Sequence, residues 1–156
     1  MLANIKADSE PVLWQRLLTF GNQCYNNQNW QQAEYYYKEA ESHLEYLWSL
    51  DETNSNLLMA WITALHNLAY LCESVGDGHA GLQYLLIPHY RLLSLTKELG
   101  TSEDLKLIAI NALSLTYTPI MAYTKRNPIC EDCQQVIDSL KGGFDTDWEK
   151  HIQIVH

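Results

Sequence analysis

Apolar and small residues recur at intervals of three and four through residues 29–50, at Trp30, Ala33, Tyr37, Ala40, Leu44 and Leu47. An α-helix turns once in about 3.6 residues, so this stripe lands on one face, whereas a strand would split it between two. A chain carrying such a stripe needs a second helix to cover it. The same spacing runs through most of the sequence, and only 7 Gly and 4 Pro interrupt it. The expectation is an all-α protein of helices joined by short turns, with no strand.

The punctuation sets the helices. Ser9 as cap and Pro11 in the first turn open a helix that carries Leu13, Leu17, Phe20, Gly21 and Cys24 on one side and ends near Asn27. After the striped helix and the polar turn at residues 51–56, residues 57–74 are apolar nearly all round, which a helix tolerates in mid-stack. Gly76, Asp77 and Gly78 break the chain before a fourth helix from Ala80 to Leu99, which Pro88 should kink. Thr101 or Ser102 starts a fifth, rich in Leu and Ile and expected to be buried, which Pro119 restarts or bends. Asn127 and Pro128 read as the cap and first position of another helix ending at Gly142 and Gly143. Thr146 and Glu149 have capping-box spacing for a short last helix.

Composition narrows the function. With 156 residues and 47% hydrophobic content the chain can bury one substantial core. A net charge of -9, from 10 basic and 19 acidic residues, and no clustered Lys or Arg argue against nucleic acid and anionic membrane as partners. No secretory leader and no unbroken apolar run of about 18 residues is present, so a cytoplasmic location is expected. There is no Gly-rich phosphate loop, nucleophile elbow or helix-borne histidine pair. Glu103-Asp104 and Glu131-Asp132 fall where carboxylates favour helix N-termini, and His43, His79 and His89 read as solvated. A non-enzymatic role follows as the expectation.

Helix pairs at intervals of roughly 35 to 45 residues suggest stacked hairpins, each too small to bury its own face. The stretch from Leu17 to Ala40, LLTFGNQCYNNQNWQQAEYYYKEA, resembles a tetratricopeptide repeat (TPR). Leu17, Phe20 and Gly21 match its large-large-small first-helix set; Ala33, Tyr37 and Ala40 match its small-aromatic-small second-helix set. A looser second copy has Leu65, Leu68, Ala69 and Cys72, the Gly76-Asp77 turn, then Gly81, Leu85 and Pro88. A third, within residues 105–126, keeps Ala109, Ala112 and Leu113. The resemblance implies a TPR-like stack of antiparallel helix pairs in a right-handed superhelix over residues 1–127. Residues 128–156 would form a C-terminal helical appendage packed on it.

It further implies a groove that binds another protein or peptide as an adaptor, chaperone or regulatory partner. Side chains between the packing positions would line it: Gln15, Leu18, Asn22 and Tyr25 in the first unit, and Thr63, His66, Tyr70 and Glu73 in the second. Gln15, Asn22, Tyr25, His66 and Tyr70 are the candidate protein-binding set, since amides offer donor and acceptor together and tyrosines give contact area at low entropic cost. The alternative is that Tyr25, His66 and Tyr70 are covered by C-terminal helices. Asn22 and Asn67 resemble the two amides of the family's carboxylate clamp, but Leu18 stands where its first Lys would be. Tyr35, Tyr36 and Tyr46 lie off the core stripe and offer an outer face for a partner or a homodimer.

Cys130 and Cys133 form a Cys-x-x-Cys pair, followed by His151 and His156, which gives ligand types and order for zinc. Seventeen residues separate Cys133 from His151, longer than the usual finger. Otherwise no cofactor is called for. For the pair itself the first reading is two structural thiols capping the stack, a role that Cys24 and Cys72 also fit; a zinc-stabilised or redox-responsive regulatory protein using Cys130 and Cys133 is the alternative to the binding function.

Overall fold

The stripe of residues 29–50 is met by helices on both sides of it. The computed structural model describes residues 12–127 and 130–140, and among these residues it is helical throughout apart from short turns, with no strand. The helices are α1 (Leu13–Asn26), α2 (Trp30–Leu50), α3 (Ser55–Ser74), α4 (Gly78–Lys97), α5 (Glu103–Arg126) and α6 (131–140). The chain divides into two compact units after Met121. In the first, α1 packs on α2, α2 on α3 and α3 on α4. Ser9, Pro11, Pro128, Gly142, Gly143, Thr146, Glu149, His151 and His156 lie outside the described residues.

Small residues set the helix spacing. Ala33 and Ala40 are fully buried on α2 with Tyr37 and Leu44. A Cβ on Gly21 would sit 2.5 Å from Cε1 of Tyr37, so only glycine admits the tyrosine ring against α1. A Cβ on Gly81 would stand 3.1 Å from the Ala69 carbonyl oxygen, a less severe but still tight approach of α4 to α3. Trp48 extends the α2 stripe by fours, stacks on Trp61 with ring centres 5.8 Å apart and carries the Arg91 guanidinium over its face. Spacing by threes had selected Leu47, which is only half-buried.

Two turns repeat one another. After α1 the Asn29 amide donates to the Cys24 carbonyl at 2.8 Å and the Gln28 amide to that of Tyr25 at 3.0 Å. After α3 the Asp77 amide donates to Cys72 at 2.8 Å and the Gly76 amide to Glu73 at 3.1 Å. In each the middle residue is left-handed, Gln28 at φ 58° and Gly76 at φ 84°. The offset from Gln28 to Gly76 is 48 residues, longer than the expected 35 to 45, because α2 and α3 have 21 and 20 residues.

Mid-stack burial falls on α3, with Leu58, Ala60, Trp61, Ile62, Ala64, Leu65, Leu68, Ala69 and Leu71 all buried. Asn54 caps it by accepting the Asn56 and Leu57 amides. Asp77 and Ser102 cap α4 and α5 in the same way. On α1, by contrast, Gly21 is the one buried residue, and Phe20, expected in the core, is 46% exposed with its ring 5.5 Å from that of Tyr36. A helix covered on one side cannot bury a wide stripe.

Four further expectations change. α5 runs unbroken through Pro119; the residue whose carbonyl loses its partner there, Leu115, faces solvent. Leu107 and Leu115 are exposed, so α5 buries one face only, through Leu105, Ala109, Ala112, Leu113, Thr116 and Ile120. Among the described residues α5 is the one helix long and apolar enough to cross a membrane, a test that a core helix also passes. His89, read as solvated, is fully buried, where its Nδ1 lies 2.8 Å from the Thr116 hydroxyl. Asn127 closes α5 by donating to the Tyr123 carbonyl from both its backbone and side-chain nitrogens, while Cys130 takes the cap position of α6.

Candidate functional site

The equivalent turns bring α1 and α3 side by side, and between them opens a cleft of about 240 Å³. Asn22, Tyr25, Tyr37, Asn67 and Tyr70 line it. Three of the five candidates, Asn22, Tyr25 and Tyr70, therefore meet in one place. Asn67 joins them and supplies a second amide.

Each side chain has a distinct role. The Tyr25 hydroxyl lies 2.6 Å from the Ser74 hydroxyl, tying the C-terminal ends of α1 and α3 together. The Tyr37 hydroxyl donates to Asn22 Oδ1 at 2.7 Å. Burial pushes the Tyr37 pKa up to about 12, so the phenol stays a donor at any physiological pH. Asn22 is thus held through its oxygen, and its amide hydrogens take no part in that bond. Tyr70 is 44% exposed and its ring offers a flat apolar wall. The half-buried Asn67 makes no side-chain hydrogen bond among the described residues, which leaves both donor and acceptor available.

The other two candidates stand apart from the cleft lining. Gln15 accepts the Val12 amide at 3.2 Å and so caps its own helix. His66 Nε2 is buried with no hydrogen-bond partner among the described residues, and desolvation lowers its pKa to about 4. It is a neutral imidazole. Sequence spacing missed the part that Tyr37 plays, because Tyr37 belongs to the packing stripe and only its hydroxyl reaches the cleft. On the outer face Phe20, Tyr36 and Tyr35 form a chain of ring contacts, and Tyr35 and Tyr46 are well exposed.

A second cavity, of about 290 Å³, lies between α2, α3 and α4 and includes Trp30, Glu34, Asp77 and Tyr84. Its Glu34 carboxylate is already paired with Lys38 at 2.7 Å. In the second compact unit Cys130 and Cys133 stand together, with their sulfurs 2.8 Å apart. Their proposed zinc partners His151 and His156 fall outside the described residues, and no group of three metal-ligating side chains occurs among the described ones.

No curated protein and no solved structure matches the chain. A family model described as a protein of unknown function, DUF2753, matches residues 12–156. That span takes in the whole cleft as well as the cysteine pair, and the chain belongs to the DUF2753 family.

Proposed function

We infer that this chain is a TPR-like protein-interaction module that holds an extended segment of another polypeptide in the cleft between α1 and α3. The observation that carries the reading is the convergence of Asn22, Tyr25, Asn67 and Tyr70 on one cavity from helices far apart in sequence. A strand-like segment presents amide and carbonyl groups in alternation; Asn22 can donate to it, Asn67 can donate and accept, and the tyrosines cover its side chains.

The repeat reading is supported by the matching turns at Gln28 and Gly76, and by the close approaches at Gly21 and Gly81. The 48-residue offset departs from the roughly 34 residues of the family, so the helices are longer than its pattern. A right-handed superhelix follows from that reading. A chaperone-terminus clamp does not, because Leu18 occupies the place of its Lys. A binding rather than catalytic role, and a cytoplasmic location, belong to the same inference.

The test is selection of peptides from a random display library on the full chain, followed by affinity measurement against Asn67→Ala and Tyr70→Ala. Losing a hydrogen-bonding amide should weaken binding about 3- to 10-fold, and losing the ring by at least as much. Selected peptides that bind both variants as well as the parent would count against the cleft.

A further inference from the structure

Cys130 and Cys133 play no part in the cleft. Cys130 directly precedes α6, and its carbonyl accepts the Gln134 amide at 2.9 Å, which makes it the helix cap. Its sulfur also accepts the Cys133 backbone amide at 3.3 Å. The two sulfurs, 2.8 Å apart, need to close by only about 0.75 Å to reach the roughly 2.05 Å of a disulfide. Either thiol can donate to the other while both are protonated. Once Cys130 ionises it accepts from the Cys133 thiol and from the helix amide together. Cys130 is exposed and open to a small reagent, whereas Cys133 is half-buried.

The geometry points to a redox-active dithiol in which Cys130 attacks a small-molecule disulfide of the glutathione type and Cys133 resolves the product. In the first step the Cys130 thiolate bonds to one sulfur of the reagent, whose own disulfide bond breaks. The released thiolate takes up the proton that Cys130 lost. In the second step the Cys133 sulfur attacks Cys130, expels the second small thiol and gives up its proton to it. Two protein thiols lose two electrons, and one disulfide becomes two thiols. Donation from the Cys133 thiol, then from its backbone, holds Cys130 below the usual thiol pKa, against the opposing charge of Asp132. Donating in this way holds Cys133 above it, as suits a thiol that acts second. Burial raises Cys72, so the same reagent finds it less ionised.

The experiment treats the full chain with oxidised glutathione at pH 7 and maps the products by mass spectrometry. One tryptic peptide, residues 127–141, carries both cysteines. It should lose two hydrogens, and Cys130 should react with an alkylating reagent about fivefold or more faster than Cys24 or Cys72. Cys133→Ser should stop at a mixed disulfide on Cys130, with unchanged far-ultraviolet circular dichroism. A wild-type adduct that never resolves, equal reactivity at Cys24 and Cys130, or purified protein holding stoichiometric zinc that blocks both thiols overturns the proposal. The wild-type peptide map decides the question even if Cys133→Ser fails to fold.

Discussion

Gly21→Ala should destabilise the protein even though alanine is the better helix former. In the middle of an exposed helix the exchange would gain about 1 kcal/mol. Here the new methyl carbon would lie 2.5 and 2.6 Å from Cε1 and Cδ1 of Tyr37. That ring is 2% exposed and fixed at its far end by the bond to Asn22, so it cannot swing aside. Overpacking of this kind costs about 1–3 kcal/mol, and two ring carbons at such distances place it in the upper part of that range. The net loss is then about 1–2 kcal/mol, a fall of roughly 2–8 °C in Tm for a chain of this length. Urea unfolding followed by circular dichroism measures it, alone and in a Tyr37→Leu background. Once the ring is gone the same Gly21→Ala exchange should become neutral or stabilising, a coupling of about 2 kcal/mol between the two positions. A rise in stability on Gly21→Ala in the otherwise unchanged chain would refute the wedge of Tyr37 against α1, and with it the packing on which the repeat reading depends.

The remaining expectations concern the cleft, a turn, two histidines and two leucines. Asn22→Ala should cost about 1–3 kcal/mol by leaving the part-buried Tyr37 hydroxyl without its acceptor, whereas Asn67→Ala should shift chemical unfolding by less than about 0.5 kcal/mol. Gln28→Gly relieves a left-handed residue at φ 58° and should raise stability by about 1 kcal/mol in the same assay. Burial depresses both His66 and His89 from 6.5 to about 4, so the unfolded chain binds more protons between those values. Stability should be fully present above pH 6.5 and fall as pH is lowered towards 4; a flat urea midpoint across that window would contradict neutral burial. Leu58→Ala, at a fully buried site on α3, should cost about 2–5 kcal/mol by thermal or urea melting, while Leu107→Ala on the exposed side of α5 should cost little.

Much of the local structure was legible because helix periodicity and turn chemistry are short-range. The stripe through Ala33, Tyr37, Ala40 and Leu44 lands in the core as spacing requires, and Ser102 caps α5 as its position at the helix start suggests, whereas the caps at Asn54 and Asp77 emerge only in the structure. What escaped depended on neighbours. Phe20 has the right spacing for the core but sits on a helix with one partner. His89 looks like a polar residue next to a proline until α5 supplies Thr116. Pro119 breaks a helix only where its orphaned carbonyl would be buried. The cleft was legible in part because Asn22, Tyr25 and Tyr70 lie between packing positions on their own helices. Spacing could not assign Gln15 to its cap at the Val12 amide, nor His66 to a desolvated position, since both depend on which atoms lie within 3 to 4 Å.

The uneven burial of α1 and α3 gives the cleft two walls of different compliance. Asn67 and Tyr70 stand on a helix with nine buried residues, whose amides should exchange with deuterated solvent only through near-global opening. Asn22 and Tyr25 stand on a helix whose one buried residue is a glycine, held in part by the contact of Tyr25 with Ser74. In the binding role proposed above, such a pair would work like a vice with one fixed jaw. Segments of differing bulk could be accommodated by displacement of α1 alone, with the amide register on α3 unchanged and the Tyr25–Ser74 contact acting as the catch that sets the resting width.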